Sequence, residues 1–324
     1  MPPSSSLAHP NIAFIKYWGN RDHALRLPAN GSISMNLAGL ETRTTVQFDS
    51  GIHQDELTLN SQPAPEAARL RVAAMLDRVR ALSGVTAPGR VTSANNFPMG
   101  TGIASSASSM AALALAASTA AGLNLTEREL SILARTGSGS AARSIPGGFV
   151  EWQAGATHED SYAFSLAPAE HWALADCIAV VSAAHKATGS SEGHPLADTS
   201  LLQPVRVADA PRRLALCREA ILARDFAAFA EIVEQDNLLM HAVMMTGRPP
   251  LLYWQPATLA VLHAAAGWRA EGIEACCTID AGPNVHVICT AQFQGEVAAR
   301  LRTIAGVQQV LEAEAGGGAR LVGN

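Results

Sequence analysis

The chain has 324 residues, of which 48% are hydrophobic and 16% charged, with a formal net charge of −5. That composition excludes a disordered chain and suits two domains or one large one. The acidic balance gives no overall attraction to nucleic acid or to an anionic membrane, so an anionic substrate needs a local basic site.

In chain order, Asn11–Tyr17, Ser32–Leu37 and Thr42–Phe48 read as strands separated by turn residues. A helix is expected over Glu66–Leu82, then a strand over Arg90–Ala94 that leads into a glycine-rich loop. Phe97–Leu125 carries no charge and is long enough to span a bilayer. It is built from Gly, Ala, Ser and Thr, lacks an aromatic belt, and reads as a tightly packed soluble helix closed by Gly122. Thr126 and Glu129 form a capping box for a helix over Glu127–Arg135. A second Gly/Ser-rich loop, Gly137–Gly148, feeds a strand at Phe149–Gln153. Ile178–Ala183 reads as a buried strand, followed by the small-residue segment Thr188–Gly193. Ala210–Met245 and Pro256–Glu271 are helical, and the strands Glu274–Ile279 and Val285–Thr290 flank a turn. This mixture predicts an α+β protein, with its domain boundary near residues 180–200.

The five cysteines show no CxxC spacing, and Cys276 and Cys277 read as small buried hydrophobes. They suit a reducing cytoplasm, and the N-terminus lacks the basic and apolar regions of a signal peptide. The ten histidines show no zinc-binding spacing, and there is no GxSxG elbow for a serine hydrolase.

Four constellations carry chemistry. In Pro98-Met-Gly-Thr-Gly-Ile-Ala-Ser-Ser-Ala-Ser108, Gly100 and Gly102 precede a helix start, a ready anion site, and Ser105, Ser106 and Ser108 add hydroxyls. The same pattern also suits close helix packing. Gly137-Ser-Gly-Ser-Ala-Ala-Arg-Ser144 sets one arginine, Arg143, among small residues, where it can grip a carboxylate or phosphate or pair structurally. Asp280 ends an apolar strand before Ala-Gly-Pro-Asn284, and is either a turn residue or a placed base. Lys16 interrupts the apolar run Asn11-Ile-Ala-Phe-Ile-Lys-Tyr-Trp-Gly19, and a buried lysine needs a partner or an anionic ligand.

Taken together and in this order, these segments resemble the mevalonate diphosphate decarboxylase family of the GHMP kinase superfamily, with Lys186-Ala-Thr-Gly-Ser190 similar to a further substrate-side segment. The resemblance implies a ribosomal-S5-like N-terminal domain over 1–183 and a ferredoxin-like C-terminal domain over 184–324. It implies ATP and Mg²⁺, phosphorylation of a tertiary 3-hydroxyl, then loss of that phosphate and of CO₂. On this reading Asp280, Lys16 and Arg143 are catalytic, with Arg143 also gripping the substrate carboxylate. Tyr17, Asn20, Ser138, Ser140 and Ser190 line the substrate pocket. Asn96, Gly100, Gly102, Ala104, Ser105, Ser106 and Ser108 hold ATP, and Ser106 is a candidate Mg²⁺ ligand. A cytoplasmic homodimer is expected, with no nucleic-acid or membrane partner.

One departure bears on the substrate. The family's Tyr-Trp-Gly-Lys reads Tyr17-Trp-Gly-Asn20 here, and His194 replaces a customary Met. Loss of that ammonium removes a charge-assisted contact worth roughly 1.5–3 kcal/mol. The expectation is therefore mevalonate 5-phosphate as substrate and isopentenyl phosphate as product, with Arg21 or an arginine of Arg69–Arg80 able to compensate. The alternatives are the 5-diphosphate with isopentenyl diphosphate as product, a mevalonate-type kinase that stops after phosphorylation, and a non-catalytic sensor.

Overall fold

The chain opens with serines, yet in the computed structural model, which describes residues 1–97, 105–184 and 188–323, this opening forms a buried strand. Gly100, Gly102, Ala104 and Lys186 lie outside the described residues. The strands run β1 (Ser4–Ala8), β2 (Asn11–Ile15), β3 (Asn20–Asp22), β4 (Leu27–Pro28), β5 (Ser32–Ala38), β6 (Thr42–Phe48), β7 (Glu56–Leu59) and β8 (Gln62–Pro63). They continue as β9 (Gly89–Asn95), β10 (Phe149–Trp152), β11 (Ala163–Ala167), β12 (Leu174–Val180), β13 (Ala275–Thr278), β14 (Val285–Thr290), β15 (Gln309–Ala315) and β16 (Arg320–Val322). The α-helices are α1 (Glu66–Ser83), α2 (Ser105–Ala120), α3 (Glu127–Gly137), α4 (Ser190–Gly193), α5 (Gln203–Ala223), α6 (Phe226–Thr246), α7 (Pro256–Ala270) and α8 (Gln294–Leu301).

Two large sheets organise these elements. One follows the order β16-β1-β6-β9-β7-β8, so the two ends of the described chain pair with each other at β1 and β16. In β6 every second side chain is buried, which sets the apolar face of this sheet under α1 and α2. The alanines of α2 allow its close approach: Ala111, Ala112, Ala114, Ala116 and Ala117 are all fully buried. Within the uncharged stretch, Ser105–Ala120 is thus a packed core helix, and no helix among the described residues is long and apolar enough to cross a membrane. Thr126 and Glu129 form the expected capping box, and Gly122 takes the left-handed conformation (φ 77°) that closes a helix.

The second sheet follows β11-β10-β5-β15-β12-β14-β13, with β2 added against β5. Strand β5 is its junction, pairing with β10, β2 and β15. Through that junction, N-terminal strands and C-terminal strands form one continuous sheet. Phe229 of α6 is fully buried against it, edge-on to Phe14 of β2 with ring centroids 4.8 Å apart. A separate apolar cluster, with Val261, Trp268, Val287 and Leu301, packs α7 and α8 against β12, β13 and β14. All five cysteines are free and buried, as small hydrophobes.

Three expectations need correction. Strand β2 stops at Ile15, so Lys16 and Tyr17 lie beyond it. The helix read as continuous over Ala210–Met245 is two helices, broken where Arg224 adopts φ 57° and Asp225 caps α6 through the Ala228 N–H. The strand expected at Ile178–Ala183 begins earlier, at Leu174, and ends at Val180. The Phe14–Phe229 contact leads directly to Lys16. Phe229→Ala should therefore cost about 3–5 kcal/mol of stability, measured as a lowered urea midpoint with an unchanged slope.

Candidate active site

Lys16 and Asp280 are 264 residues apart, yet Lys16 Nζ lies 2.7 Å from Asp280 Oδ1. The Lys16 side chain is 1% exposed and that of Asp280 is 27% exposed, so the pair has a buried cationic end and an accessible anionic end. Burial pushes the Lys16 amine below its usual value, opposed by Asp280 and Asp236. Burial also opposes ionisation of Asp280, but Lys16, His286 and Arg143 outweigh it and hold the carboxyl below its usual range. An accessible carboxylate that stays ionised in an enclosed setting can orient or accept the proton of a substrate hydroxyl.

Each member is placed by the chain ends around it. Beyond Ile15, the Lys16 N–H donates to Asp236 Oδ2 at 2.6 Å, and its carbonyl accepts from Arg206 Nη2 at 2.7 Å and Asn30 Nδ2 at 3.0 Å. Asp280 follows β13 in a turn pinned from several sides. The Ile279 N–H donates to Asn237 Oδ1 at 2.8 Å, and His241 Nε2 donates to the Ile279 carbonyl at 3.2 Å. Asn284 accepts the Val181 N–H at 2.8 Å and so ties the turn to the end of β12.

Arg143 sits on a 3₁₀ turn over Gly139–Ser144 and is 3% exposed. Its Nε donates to Asn11 at 3.1 Å and its Nη1 to Ser32 at 2.6 Å. Among the described residues no carboxylate pairs with it within ion-pair distance. Burial pushes its pKa down to about 10 while Asp280 pulls it up. A buried guanidinium held by neutral groups can receive an anionic group.

Tyr17 packs on the same turn, and a Cβ at Gly139 would lie 2.5 Å from its ring. Burial pushes its hydroxyl up to about 12, so it stays protonated and donates to Asn20 Oδ1. His194 stacks on Tyr17 with ring centroids 4.2 Å apart and accepts the Gly19 N–H on Nδ1 at 3.0 Å. That bond requires a neutral ring. Burial, aided by Arg26, His23 and Arg206, pushes the His194 pKa down to about 3. Ser138 caps α3, with Oγ 3.3 Å from Ser106 Oγ and 3.4 Å from Ser140 Oγ, so the two Gly/Ser-rich segments meet. Ser190 opens α4, a short helix whose Gly193 lies against Trp18.

The nucleotide-side residues divide. Ser105 and Ser106 are half-buried at the start of α2. Ser108 is fully buried and its hydroxyl lies 2.6 Å from Thr42 Oγ1, which turns it into the sheet and away from the helix start. Asn96 uses its side chain locally, accepting the Glu41 N–H and donating to the Gly39 carbonyl, both at 2.8 Å. The described residues contain no group of three His, Cys, Asp or Glu able to hold a metal ion.

Sequence reasoning did not single out Arg26, Asp236, Asn237 or His241. Arg26 Nε donates to the Thr136 carbonyl at 3.2 Å, and Arg71 Nη2 reaches the Gly137 carbonyl at 3.5 Å, so both guanidiniums flank Ser138. Burial lowers the Arg71 pKa and the nearby Arg26 lowers it further. Arg21, by contrast, is exposed and spends its guanidinium on the Ala154 and Gly155 carbonyls. A hint of Arg26 lay in the sequence as a cation six residues beyond Asn20, but its turn into the site depends on a left-handed backbone (φ 51°).

Comparison with known proteins places this geometry. The family model for a diphosphomevalonate decarboxylase-like N-terminal domain matches residues 8–163, and that for the mevalonate 5-diphosphate decarboxylase C-terminal domain matches 177–318. The chain belongs to the diphosphomevalonate decarboxylase family. A diphosphomevalonate decarboxylase of Aspergillus fumigatus is 38% identical, with 94% of this chain and 80% of the relative covered. A phosphomevalonate decarboxylase of Haloferax volcanii is 34% identical over 91% of this chain and 90% of its own. A solved structure described as MDDEF in complex with MVAPP, AMPPCP and magnesium superposes with a TM-score of 0.93 at 36% identity, covering 99% of both chains. The fold is accordingly the GHMP-kinase fold of this decarboxylase family, as the sequence motifs led one to expect.

The buried neutral histidines make stability depend on pH. His194 is held down to about 3 and His241 to about 4, against about 6.5 when unfolded. Below pH 6.5 the unfolded chain binds more protons than the native one, so stability is greatest above that pH and falls as it is lowered. Each histidine should remove about 2 kcal/mol between pH 8 and pH 5. Urea unfolding at the two pH values measures the loss, and an unchanged midpoint would contradict it.

Proposed function

We propose that the chain catalyses ATP-dependent decarboxylation of mevalonate 5-diphosphate to isopentenyl diphosphate. The observation that carries this reading is the Lys16–Asp280 pair, with an accessible carboxylate beside the unpaired, buried Arg143. Asp280 takes or orients the proton of the 3-hydroxyl as that oxygen attacks the γ-phosphorus of ATP and ADP departs. Lys16 keeps Asp280 ionised and offsets negative charge on the reacting oxygens. Arg143 grips the substrate carboxylate. The C3–O bond then breaks with phosphate leaving, the C1–C2 bond breaks with CO₂ leaving, and its electron pair forms the alkene.

Family membership supports ATP and Mg²⁺, since the structural neighbour is described with a nucleotide analogue and magnesium. The Ser106 hydroxyl, a hard oxygen donor at the start of α2, fits a Mg²⁺ bound chiefly by phosphate oxygens. When bound, the ion would offset phosphate charge. Ser105, Ser106 and the loop before them are the proposed nucleotide side. The division into domains at 183/184, a homodimer and a cytoplasmic setting belong to the same proposal.

The substrate proposed here differs from the one expected from Asn20 alone. Both family models and the fungal relative are named for the diphosphate. Arg71, an arginine of the expected Arg69–Arg80 set, and Arg26, which was not expected, bring two cations to the Thr136 and Gly137 carbonyls just before Ser138. Mevalonate 5-phosphate is the second reading, favoured by Asn20, whose amide meets Tyr17 and His23 in place of an ammonium. Steady-state kinetics on both substrates separate the two. A kcat/KM at least about tenfold higher for the diphosphate is expected, equivalent to about 1.4 kcal/mol. Asn20→Lys should raise that ratio further, whereas a higher kcat/KM for the monophosphate in the wild-type enzyme would establish the second reading.

A further inference from the structure

Lysine occurs only at positions 16 and 186, and every other cationic side chain of the Lys/Arg class is an arginine. Lys16 therefore stands where a compact ammonium is wanted and a planar guanidinium is not. Its task demands one position and one charge state, and its own strand guarantees neither. Strand β2 ends one residue earlier, after a register shift against β5 between Ala13 and Ile15.

Helix α6 takes over. Asp236, fully buried, accepts the Lys16 N–H at 2.6 Å, and the next residue, Asn237, accepts the Ile279 N–H at 2.8 Å. One turn on, His241 donates to the Ile279 carbonyl at 3.2 Å. Adjacent side chains of one helix thus grip the backbone at Lys16 and immediately before Asp280. We infer that Asp236 is a positioning residue of the reaction, acting through Lys16: it fixes the Lys16 backbone on the helix that also fixes the Asp280 turn, and its charge sustains the ammonium form.

The rest of the arrangement fits that role. Asp236 Oδ1 accepts from Arg213 Nε at 2.7 Å, and Arg213 is itself held by Asp209 Oδ2 at 2.6 Å and the Arg206 carbonyl at 2.9 Å. The carboxylate is therefore locked in orientation, with one oxygen on Arg213 and the other on Lys16. Around the Lys16 ammonium, Asp280 and Asp236 favour the protonated form, while burial and Arg143 oppose it. Arg206 engages the Lys16 carbonyl, and His241 is held neutral by burial, with its pKa pushed down to about 4. Were Asp236 only a core partner for Arg213, its removal would lower stability and leave the kcat of the folded protein unchanged.

This inference rests on the role proposed for Lys16, but it can be read without substrate. Selective ¹³C,¹⁵N-lysine labelling of the full chain gives signals from only two side chains, assigned by Lys186→Arg. In Asp236→Asn the Lys16 midpoint should fall. The kcat should fall at least tenfold with the KM for ATP within twofold, and Asp236→Glu should recover part of both effects. If Asp236→Asn does not fold, Asp209→Asn, at a position 35% exposed, leaves Arg213 to draw more on Asp236 and should move the Lys16 midpoint the same way by less. An unmoved Lys16 midpoint in the folded Asp236→Asn protein, or failing that in Asp209→Asn, overturns the inference. The expected Lys16 shift in a protein inactive on both mevalonate phosphates would uphold the hold of Asp236 on Lys16 and sink the proposed activity, and with it the role in the reaction.

Discussion

The 2.7 Å contact between Lys16 and Asp280 is the constraint around which the molecule is arranged. An ammonium that is 1% exposed is tolerated only with anions in place, and Asp280 and Asp236 supply them. Desolvation strengthens the attraction within the pair, yet its Asp280 end stays accessible, as the proposed activity requires. Asp280 meets that demand by sitting in a turn at the end of β13, where its carboxylate is accessible and its backbone is pinned. Arg143 completes the centre as a cation whose hydrogen-bond partners are neutral, leaving its charge for a ligand.

The fold explains how residues so distant in sequence meet. Strand β5 joins N-terminal strands to C-terminal ones in one sheet, and β2 lies on β5 as the support from which Lys16 emerges. Helix α6 packs against β2 and β13 together, so one rigid element faces both members of the pair. The β5 junction and α6 give the centre two independent attachments between the halves of the chain.

Much of this was legible in the sequence, for identifiable reasons. A lysine in the apolar run Asn11–Tyr17 announces an unusual electrostatic partner, whereas Arg143 among small residues left an anion grip and a structural pairing both open. Asp280 was not legible alone, because aspartate in a turn is commonplace; order and company among the motifs singled it out. Serines at Ser105, Ser106 and Ser108 look alike in a list, while helical geometry sends the last of them into the sheet against Thr42. Arg26 was missed because a left-handed turn, not periodicity, directs it. Asp236 and Asn237 were missed because polar residues on a long helix read as its solvent face. Their burial depends on the tertiary contact of α6 with the ends of two strands.

The direct test of the central claim is a single-turnover measurement on Asp280→Asn with ATP and carboxyl-labelled substrate, following both ADP formation and CO₂ release. The account predicts that both fall by at least about a thousandfold, equivalent to about 4 kcal/mol, while the affinity for ATP stays within a few-fold of wild type. Release of ADP and CO₂ at rates close to those of the wild-type enzyme would contradict it, because the Lys16–Asp280 pair would then not be the reacting centre.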